Sequence, residues 1–234
     1  MGSEIAVLSP HFDDAVLSCW HVLSGPTEVE VVNVFTGAPA EGRPAAWWDR
    51  ATGASDSVER MRERLEEDRN ALAVAGRRSV ELGLLENQYR SNGEVPAVTG
   101  RLREAVRPGS IVYAPAALGL HPDHTLVRDA ALDLARDGFE VRLYADFPHA
   151  TFFGWPAWVT GAERDPHMDV DALWEPHLRP LGSPSPEAHA LDDHTYDRKL
   201  EAVEAYRTQL SALRRESPLE EMRYEVVWTL GEVA

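Results

Sequence analysis

Short apolar runs rich in β-branched residues alternate along this 234-residue chain with stretches whose apolar residues recur at helical spacing. The runs cover residues 4–9, 28–35, 79–84, 110–114 and 140–145, the third being the weakest. Runs of this length are typical of buried strands, and intervening helical patterns are typical of crossovers between parallel strands. The sequence therefore predicts an α/β protein with a Rossmann-like three-layer fold and a mostly parallel central sheet.

The clearest helical pattern covers residues 57–76. Met61, Leu65 and Leu72 lie on one stripe of it, charged residues cover the rest, and Gly76 stands at its end. Further helices are predicted over residues 14–23, 95–106, 123–136 and 195–214.

Length and composition indicate one domain. With 44% hydrophobic and 26% charged residues, a chain of this size can bury one sizeable core, so we expect residues 1–234 to form a single domain. Residues 152–193 depart from the alternation and are rich in proline, tryptophan and acidic residues. A lid, a small subdomain and a subunit contact all fit this segment, and we predict an irregular lid or insertion.

The charge balance limits the partners that this chain can bind. It has 39 acidic and 23 basic side chains, a formal charge of −16 at pH 7, which repels nucleic acids and anionic membranes and favours a small-molecule partner. Cys19 is the only cysteine, which excludes an intrachain disulfide and fits a reducing cytoplasm. Neither a signal-like segment nor a dinucleotide glycine fingerprint is present. We expect a cytoplasmic protein without membrane insertion, and homo-oligomerisation is left open.

Histidine and aspartate residues follow two of the predicted strands. His11, Asp13 and Asp14 come directly after the first strand, and HPDH, residues 121–124, follows the fourth. The carboxyl ends of parallel strands meet at one edge of a sheet, where ligands bind. Burying a carboxylate without a partner is costly, so these residues need a partner, and a metal ion is the obvious one.

Histidine and aspartate together suit zinc, and catalytic zinc sites use three protein ligands. The ligands would come from His11, from Asp13 or Asp14, and from His121 or His124. The remaining aspartate could accept a proton from the attacking water, and the remaining histidine could stabilise a tetrahedral intermediate. Such a site would hydrolyse an amide or an ester.

Each cluster also has a purely structural explanation. Asp13 suits a helix N-cap, His11 suits a hydrogen-bonded structural histidine, and Pro122 and Asp123 suit a first helical turn. Each cluster alone is better explained by structure. The occurrence of both clusters after two strands of one sheet makes a metal site as well supported as the structural explanations.

The segments PHFDDAVLS and HPDH, about a hundred residues apart, resemble the PIG-L/LmbE-like superfamily of N-acetylglucosaminyl-phosphatidylinositol de-N-acetylases. The resemblance continues through the helix at residues 57–76 and through the segments LGLLENQYR, YADFPHA and KLEAVEAYRTQ. It therefore covers most of the chain outside residues 152–193.

The resemblance implies a zinc ion, one per chain. Because sites of two histidines and one aspartate accept more than one divalent metal, the identity of the native metal is left open. Its ligands would be His11, Asp14 and His124, and Asp13 would be the general base.

The resemblance also implies roles around this site. His121 would assist at the oxyanion or the leaving group, Asp146 would orient His121, and Arg64 would face the substrate. Some members of the superfamily carry a tyrosine two residues before the first histidine of the second motif, where this chain has Gly119.

The long loop at residues 37–56 supplies further substrate-binding candidates. An indole such as that of Trp48 could stack on a sugar ring while Asp49 and Arg50 bind its hydroxyls, although paired tryptophans also serve to pack a loop. Asn87 follows the third strand and is a further candidate, and His149 could face the substrate or be packed.

Together these features predict a zinc-dependent N-deacetylase that removes an acetyl group from an amino sugar or its conjugate. One alternative is a hydrolase of a non-sugar N-acyl amide or ester in a biosynthetic pathway. Another is a non-catalytic sugar-binding module.

Overall fold

A seven-stranded sheet organises the protein in a computed structural model that describes residues 4–91, 93–164, 166–182, 184–216 and 218–230. The strands are β1 (Ile5–Ser9), β2 (Val29–Asn33), β3 (Ser79–Glu81), β4 (Ile111–Pro115), β5 (Glu140–Tyr144), β6 (Ser185–Ala190) and β7 (Tyr224–Thr229). The α-helices are α1 (Asp14–Ser18), α2 (Trp20–Leu23), α3 (Trp47–Ala51), α4 (Ser57–Val74), α5 (Val98–Ala105), α6 (Pro122–Arg136), α7 (Ala157–Thr160), α8 (Val170–Leu178), α9 (Asp193–Val203) and α10 (Arg207–Glu216).

The strand order places β1 at a topological switch point. The order is β3-β2-β1-β4-β5-β7-β6, and β1 pairs in parallel with both β2 and β4. The chain therefore leaves β1 toward one edge of the sheet and later returns to its other side, which opens a crevice outside the carboxyl ends of β1 and β4. The two His/Asp clusters follow these two strands.

Side chains alternate along the strands and fill a core on each face of the sheet. Val7 points into the core with Leu72 of α4 and Val203 of α9, while Leu8 points into the core with Leu134 of α6. Helices therefore cover both faces, which confirms the predicted three-layer α/β fold with a mostly parallel sheet.

The sequence patterns missed the antiparallel edge of the sheet. β7 pairs antiparallel with β5 and with β6. β6 lies inside the predicted irregular segment, where its residues are mostly exposed. An exposed edge strand lacks the alternation of buried residues by which a strand is found in sequence. The same segment contains α7 and α8, and its role as a lid stays a prediction.

The helix predicted over residues 14–23 is interrupted at Cys19. The backbone amides of Trp20 and His21 donate to the two carboxylate oxygens of Glu225 in β7, both at 2.8 Å. Lys199 of α9 also donates to Glu225 at 2.6 Å. A buried carboxylate thus caps a new helix, α2, and ties α2 and α9 to the antiparallel edge.

The pattern at residues 195–214 likewise divides into two helices, α9 and α10. In the long loop at residues 37–56, α3 forms a single helical turn that carries both tryptophans.

Replacing the buried carboxylate tests the importance of this contact. In Glu225→Gln the ammonium group of Lys199 stays buried without its counter-charge, so we expect the free energy of unfolding near pH 7 to fall by about 3 kcal/mol. Burial alone would raise the pKa of Glu225, but the charge of Lys199 and the hydrogen bond of His21 lower it from 4.5 to about 2. This stabilisation is therefore present above pH 4.5 and is lost as the pH falls toward 2.

Urea unfolding of wild type and Glu225→Gln over this pH range measures the effect. The exposed Glu187→Gln on the neighbouring edge strand is the matched control, and we expect its effect to stay within about 0.5 kcal/mol. Equal stability of Glu225→Gln and wild type at neutral pH would contradict the prediction.

Candidate active site

A pocket of about 240 Å³ occupies the crevice at the carboxyl ends of β1 and β4. Both predicted clusters line it, together with residues 47–48, 86–88 and 147–149. The loop after β1 is held by Ser9, whose hydroxyl donates to the carbonyl of His11 and accepts from the amide of Ala15. The sequence therefore folds locally so that the first cluster enters the pocket at the start of α1.

Three donor atoms converge in this pocket. Oδ2 of Asp14 lies 3.4 Å from Nδ1 of His11 and 3.4 Å from Nε2 of His124. Ligands of a tetrahedral zinc site, each about 2.1 Å from the ion, lie roughly 3.4 Å apart. These three side chains therefore have the chemistry and the spacing to hold a divalent cation.

The environment of His124 supports this fit. The side chain is fully buried, and its Nε2 has no hydrogen-bond partner among the described residues. A buried donor or acceptor without a partner is unfavourable, and coordination of a metal would satisfy it. Although burial opposes the charged form, the carboxylates of Asp14 and Asp146 raise the pKa of His124, because negative charge lies on both sides of the ring.

His11 is oriented by a carboxylate that the sequence interpretation had assigned to a helix start. Its Nε2 contacts Oδ2 of Asp123 at 3.0 Å. The same oxygen accepts from the backbone amide of Asn87 at 2.8 Å, and Oδ1 pairs with Arg90. These contacts fix the Nε2 side of the ring, so that Nδ1 of His11 points toward Asp14. Metal-binding histidines are commonly oriented in this way, by a carboxylate at the ring nitrogen that does not bind the metal.

Asp146 has a different partner from the predicted one. It lies after β5, fully buried, and its Oδ2 contacts Nδ1 of His124 at 3.0 Å, whereas orientation of His121 was expected. Its Oδ1 accepts from the amide of Leu118 at 3.2 Å. The orientation of Nε2 of His124 toward the converging donors therefore depends on Asp146.

His121 stands at the N-cap of α6 with one nitrogen engaged. Its Nδ1 accepts from the amide of Asp123 at 3.3 Å, so the ring proton lies on Nε2. Burial and the neighbouring histidines lower the pKa of His121 to about 3, which keeps the ring neutral. Nitrogen atoms of His11, His121 and His124 all lie within 4.8 Å of one another, so His121 is also within reach of a shared cation.

Asp13 lines the pocket beside the converging donors. It occupies the N-cap position of α1 but makes no side-chain capping bond, so the structural alternative considered from the sequence does not describe it. Burial and the charge of Asp14 raise its pKa, although Arg64 and His11 oppose this effect. A carboxylate with a raised pKa is a stronger base than an ordinary aspartate.

Arg64 of α4 lines the pocket as part of a fixed network. Its guanidinium donates to both carboxylate oxygens of Glu86, at 3.1 and 3.3 Å, and to Oε1 of Gln209 at 3.1 Å. The same oxygen of Gln209 accepts from the indole of Trp48 at 3.0 Å. Trp48 is thereby held against α10, while the neighbouring Trp47 is 63% exposed at the pocket.

The structure does not bring all the predicted substrate-binding residues to the pocket. Asp49 is fully buried and accepts hydrogen bonds from Ser57 and from the phenol of Tyr89, at 2.5 and 2.7 Å. Arg50 is exposed and donates to the carbonyl of Ala45 within its own loop. Neither lines the pocket, whereas the predicted candidate Asn87 does.

Gln209 and Asp123 line the pocket but were not singled out as site residues from the sequence. Gln209 lies in α10, far along the chain from either cluster, and it ends the segment KLEAVEAYRTQ, which carries part of the family resemblance and was the signal that could have identified it. Asp123 is the third residue of HPDH, and the acidic residue between the two histidines was the signal that could have identified it as a partner of His11.

Comparison with known proteins is consistent with this geometry. The model of the PIG-L family, described as GlcNAc-PI de-N-acetylase, matches residues 6–135, more than half of the chain, including both clusters. No match is found among curated proteins.

Solved structures extend the similarity to nearly the whole chain. The deacetylase of the antimicrobial A40926 pseudoaglycone is 27% identical, with a TM-score of 0.76 and 98% of each chain covered. A deacetylase of the teicoplanin biosynthesis pathway is 24% identical, with a TM-score of 0.76 and 97% of each chain covered. The N,N'-diacetylchitobiose deacetylase of Pyrococcus horikoshii is 15% identical, with a TM-score of 0.57 and 95% of this chain and 81% of its own covered. The last two support the fold alone.

The family match and the similarity to a deacetylase with 27% identity place this chain among the N-deacetylases. The chain belongs to the PIG-L family of GlcNAc-PI de-N-acetylases, which confirms the predicted family and class of enzyme.

Removal of the carboxylate behind His124 tests the proposed orientation. We expect Asp146→Asn to bind divalent metal roughly 10- to 100-fold more weakly than wild type, because His124 loses the charged partner of its Nδ1. Competition with a chromogenic chelator measures this affinity. The exposed Asp129→Asn on the same helix as His124 should bind metal like wild type, and equal affinity in all three proteins would contradict the prediction.

Proposed function

We propose that this protein is a metal-dependent N-deacetylase that acts on an N-acetylated amino sugar or its conjugate. The observation that carries the proposal is the convergence of His11, Asp14 and His124 in one pocket, with Asp13 and His121 beside them. This arrangement offers a cation site, a base and a hydrogen-bond donor within one cavity, as amide hydrolysis requires.

The donor set suits zinc, one ion per chain, held by His11, Asp14 and His124. A bound divalent ion supplies Lewis-acid polarisation of the amide carbonyl and lowers the pKa of water at the site. Two histidines and one carboxylate also accept other divalent metals.

Asp13 is the proposed general base. Its half-buried carboxylate lines the pocket, where burial and Asp14 raise its pKa, so it can accept the proton of the attacking water. The same group can then deliver this proton to the departing amine. His121, neutral with its proton on Nε2, donates a hydrogen bond to the oxygen on which charge develops.

The polar wall of the pocket supports a sugar as the substrate. Arg64, Glu86 and Gln209 form one hydrogen-bonded group at the pocket, and Trp47 exposes an indole there. Sugar hydroxyls pair with such groups, and a sugar ring packs on an indole. The family model is described as GlcNAc-PI de-N-acetylase, and the similar structure with 27% identity is a pseudoaglycone deacetylase.

The cellular setting forms part of the proposal. Within the described residues, no helix combines the length and the apolar composition that a membrane span needs. A cytoplasmic enzyme built as a single domain, with residues 152–193 as an irregular lid, fits the single cysteine and the acidic charge of the chain.

Metal removal is the first test. We expect protein treated with a chelator to release no acetate from N-acetylglucosamine conjugates, because the bound cation is the group that polarises the amide carbonyl. Stoichiometric zinc should restore the release. Acetate release and metal content are measured on the same samples. Protein that binds no divalent metal on titration would defeat the proposal.

Asp13→Asn separates the base from the metal site. We expect turnover to fall by roughly 10²- to 10⁴-fold while bound zinc stays at the wild-type level, because Asp13 is not among the three proposed ligands. Asp56→Asn, which alters the N-cap of α4, is a control outside the pocket. Full activity of Asp13→Asn would exclude Asp13 as the base. If wild type is itself inactive on every acylated substrate, the alternative of a sugar-binding module is favoured.

A substrate panel separates the two enzymatic alternatives. N-acetylated amino sugars and non-sugar acetamides and esters of similar size are compared by kcat/KM. If the enzyme prefers the non-sugar compounds, the proposed substrate changes from an amino sugar to another N-acyl compound, while the proposed catalytic residues stay the same.

A further inference from the structure

A second, apolar cavity lies next to the catalytic pocket. It has a volume of about 370 Å³, and Leu118, Val170 and Trp174 contribute to its lining. Phe152 and Phe153 also line it, and they are 69% and 53% exposed. Two adjacent exposed phenylalanines beside an apolar cavity form a contiguous apolar patch, and such patches commonly mark binding sites, so the cavity is suited to an apolar group.

His149 forms the boundary between the two cavities, because it lines both of them. Its imidazole stacks on His121 with 5.5 Å between ring centroids and meets His124 edge-on at 4.9 Å. Gly119 makes this position available, because a Cβ there would lie only 2.5 Å from Cβ of His149. The imidazole therefore lies between the catalytic pocket and the apolar cavity.

The catalytic pocket has polar and apolar sides. Arg64, Glu86 and Gln209 are joined by hydrogen bonds into one polar group, whereas Leu17 and Phe147 belong to one apolar cluster and both line the pocket. A sugar needs polar partners for its hydroxyls, while the methyl of an acetyl group needs none. The methyl of the acyl group therefore belongs beside Phe147 and His149, which both line the pocket.

We propose that His149 determines the length of the acyl group that the enzyme accepts, by closing the acyl side of the catalytic pocket against the apolar cavity. The proposal rests on the proposed deacetylase function and adds a specificity determinant to it. With His149 in place, acetyl fits the pocket. Without it, the acyl side opens into an apolar cavity of about 370 Å³ that can hold a longer chain.

The test compares N-acetyl- and N-octanoylglucosamine as substrates of the zinc-loaded full-length protein. We expect His149→Ala to raise the ratio of kcat/KM for octanoyl over acetyl by roughly tenfold or more, because additional methylenes gain apolar contacts. His177→Ala, which removes another imidazole of the same cavity but not the boundary, should leave the ratio at the wild-type value.

A second substitution checks that the longer chain enters this cavity. In His149→Ala combined with Leu173→Trp, the indole fills space in the apolar cavity, so octanoyl turnover should fall back while acetyl turnover stays at the level of His149→Ala. An unchanged octanoyl-to-acetyl ratio in His149→Ala, with wild-type fold and zinc content, would overturn the proposal. Octanoyl turnover insensitive to Leu173→Trp would overturn it as well.

Binding of the carboxylate products separates this proposal from the proposed function. Calorimetry with acetate and octanoate needs no turnover, and we expect His149→Ala to tighten octanoate binding relative to acetate by roughly tenfold. If wild type deacetylates no sugar but this shift is observed, the deacetylase function fails and the boundary role of His149 stands. If wild type deacetylates and the shift is absent, only the boundary role fails.

Discussion

Negative charge packed around two imidazoles is the constraint on which the rest of the site depends. His11 and His124 share Asp14 on one side, and each contacts a second carboxylate, Asp123 or Asp146, through its other ring nitrogen. This concentration of charge would be unfavourable in a buried pocket without a cation. Each of the two histidines is thus held by a carboxylate from another part of the chain, so their orientation is fixed by the sheet and its crossovers.

The switch point between β1 and β4 explains why two distant clusters form one site. Neighbouring strands place His11 and His124 across a single crevice, and the loop that carries Trp48 closes another side of it through Gln209 and Arg64. The polar network and the apolar side thus come from different parts of the chain. Substrate selection can therefore change through these walls while the histidines and carboxylates stay in place.

Much of the fold and the centre of the site could be predicted from the sequence, because both follow from local patterns. Strand runs and His/Asp clusters are contiguous, so their spacing identifies β1, β4 and the two clusters, whereas the choice of His124 over His121 came from the family resemblance. The partners of these side chains are not local. Asp146 contacts His124 and not His121 because of how α6 packs beside β5, and no spacing rule specifies that contact. The edge strand β6 was missed for a different reason, because its exposed residues carry no hydrophobic alternation.

Glu225 has a consequence for the order in which the protein is assembled. The backbone amides of Trp20 and His21, near the start of the chain, are satisfied by a carboxylate more than two hundred residues later. During synthesis at a ribosome, this turn behind the first cluster stays uncapped until β7 has emerged and paired with β5. The nascent chain can thus form its parallel strands early, yet the completed helix junction behind the first His/Asp cluster is among the last features to become native.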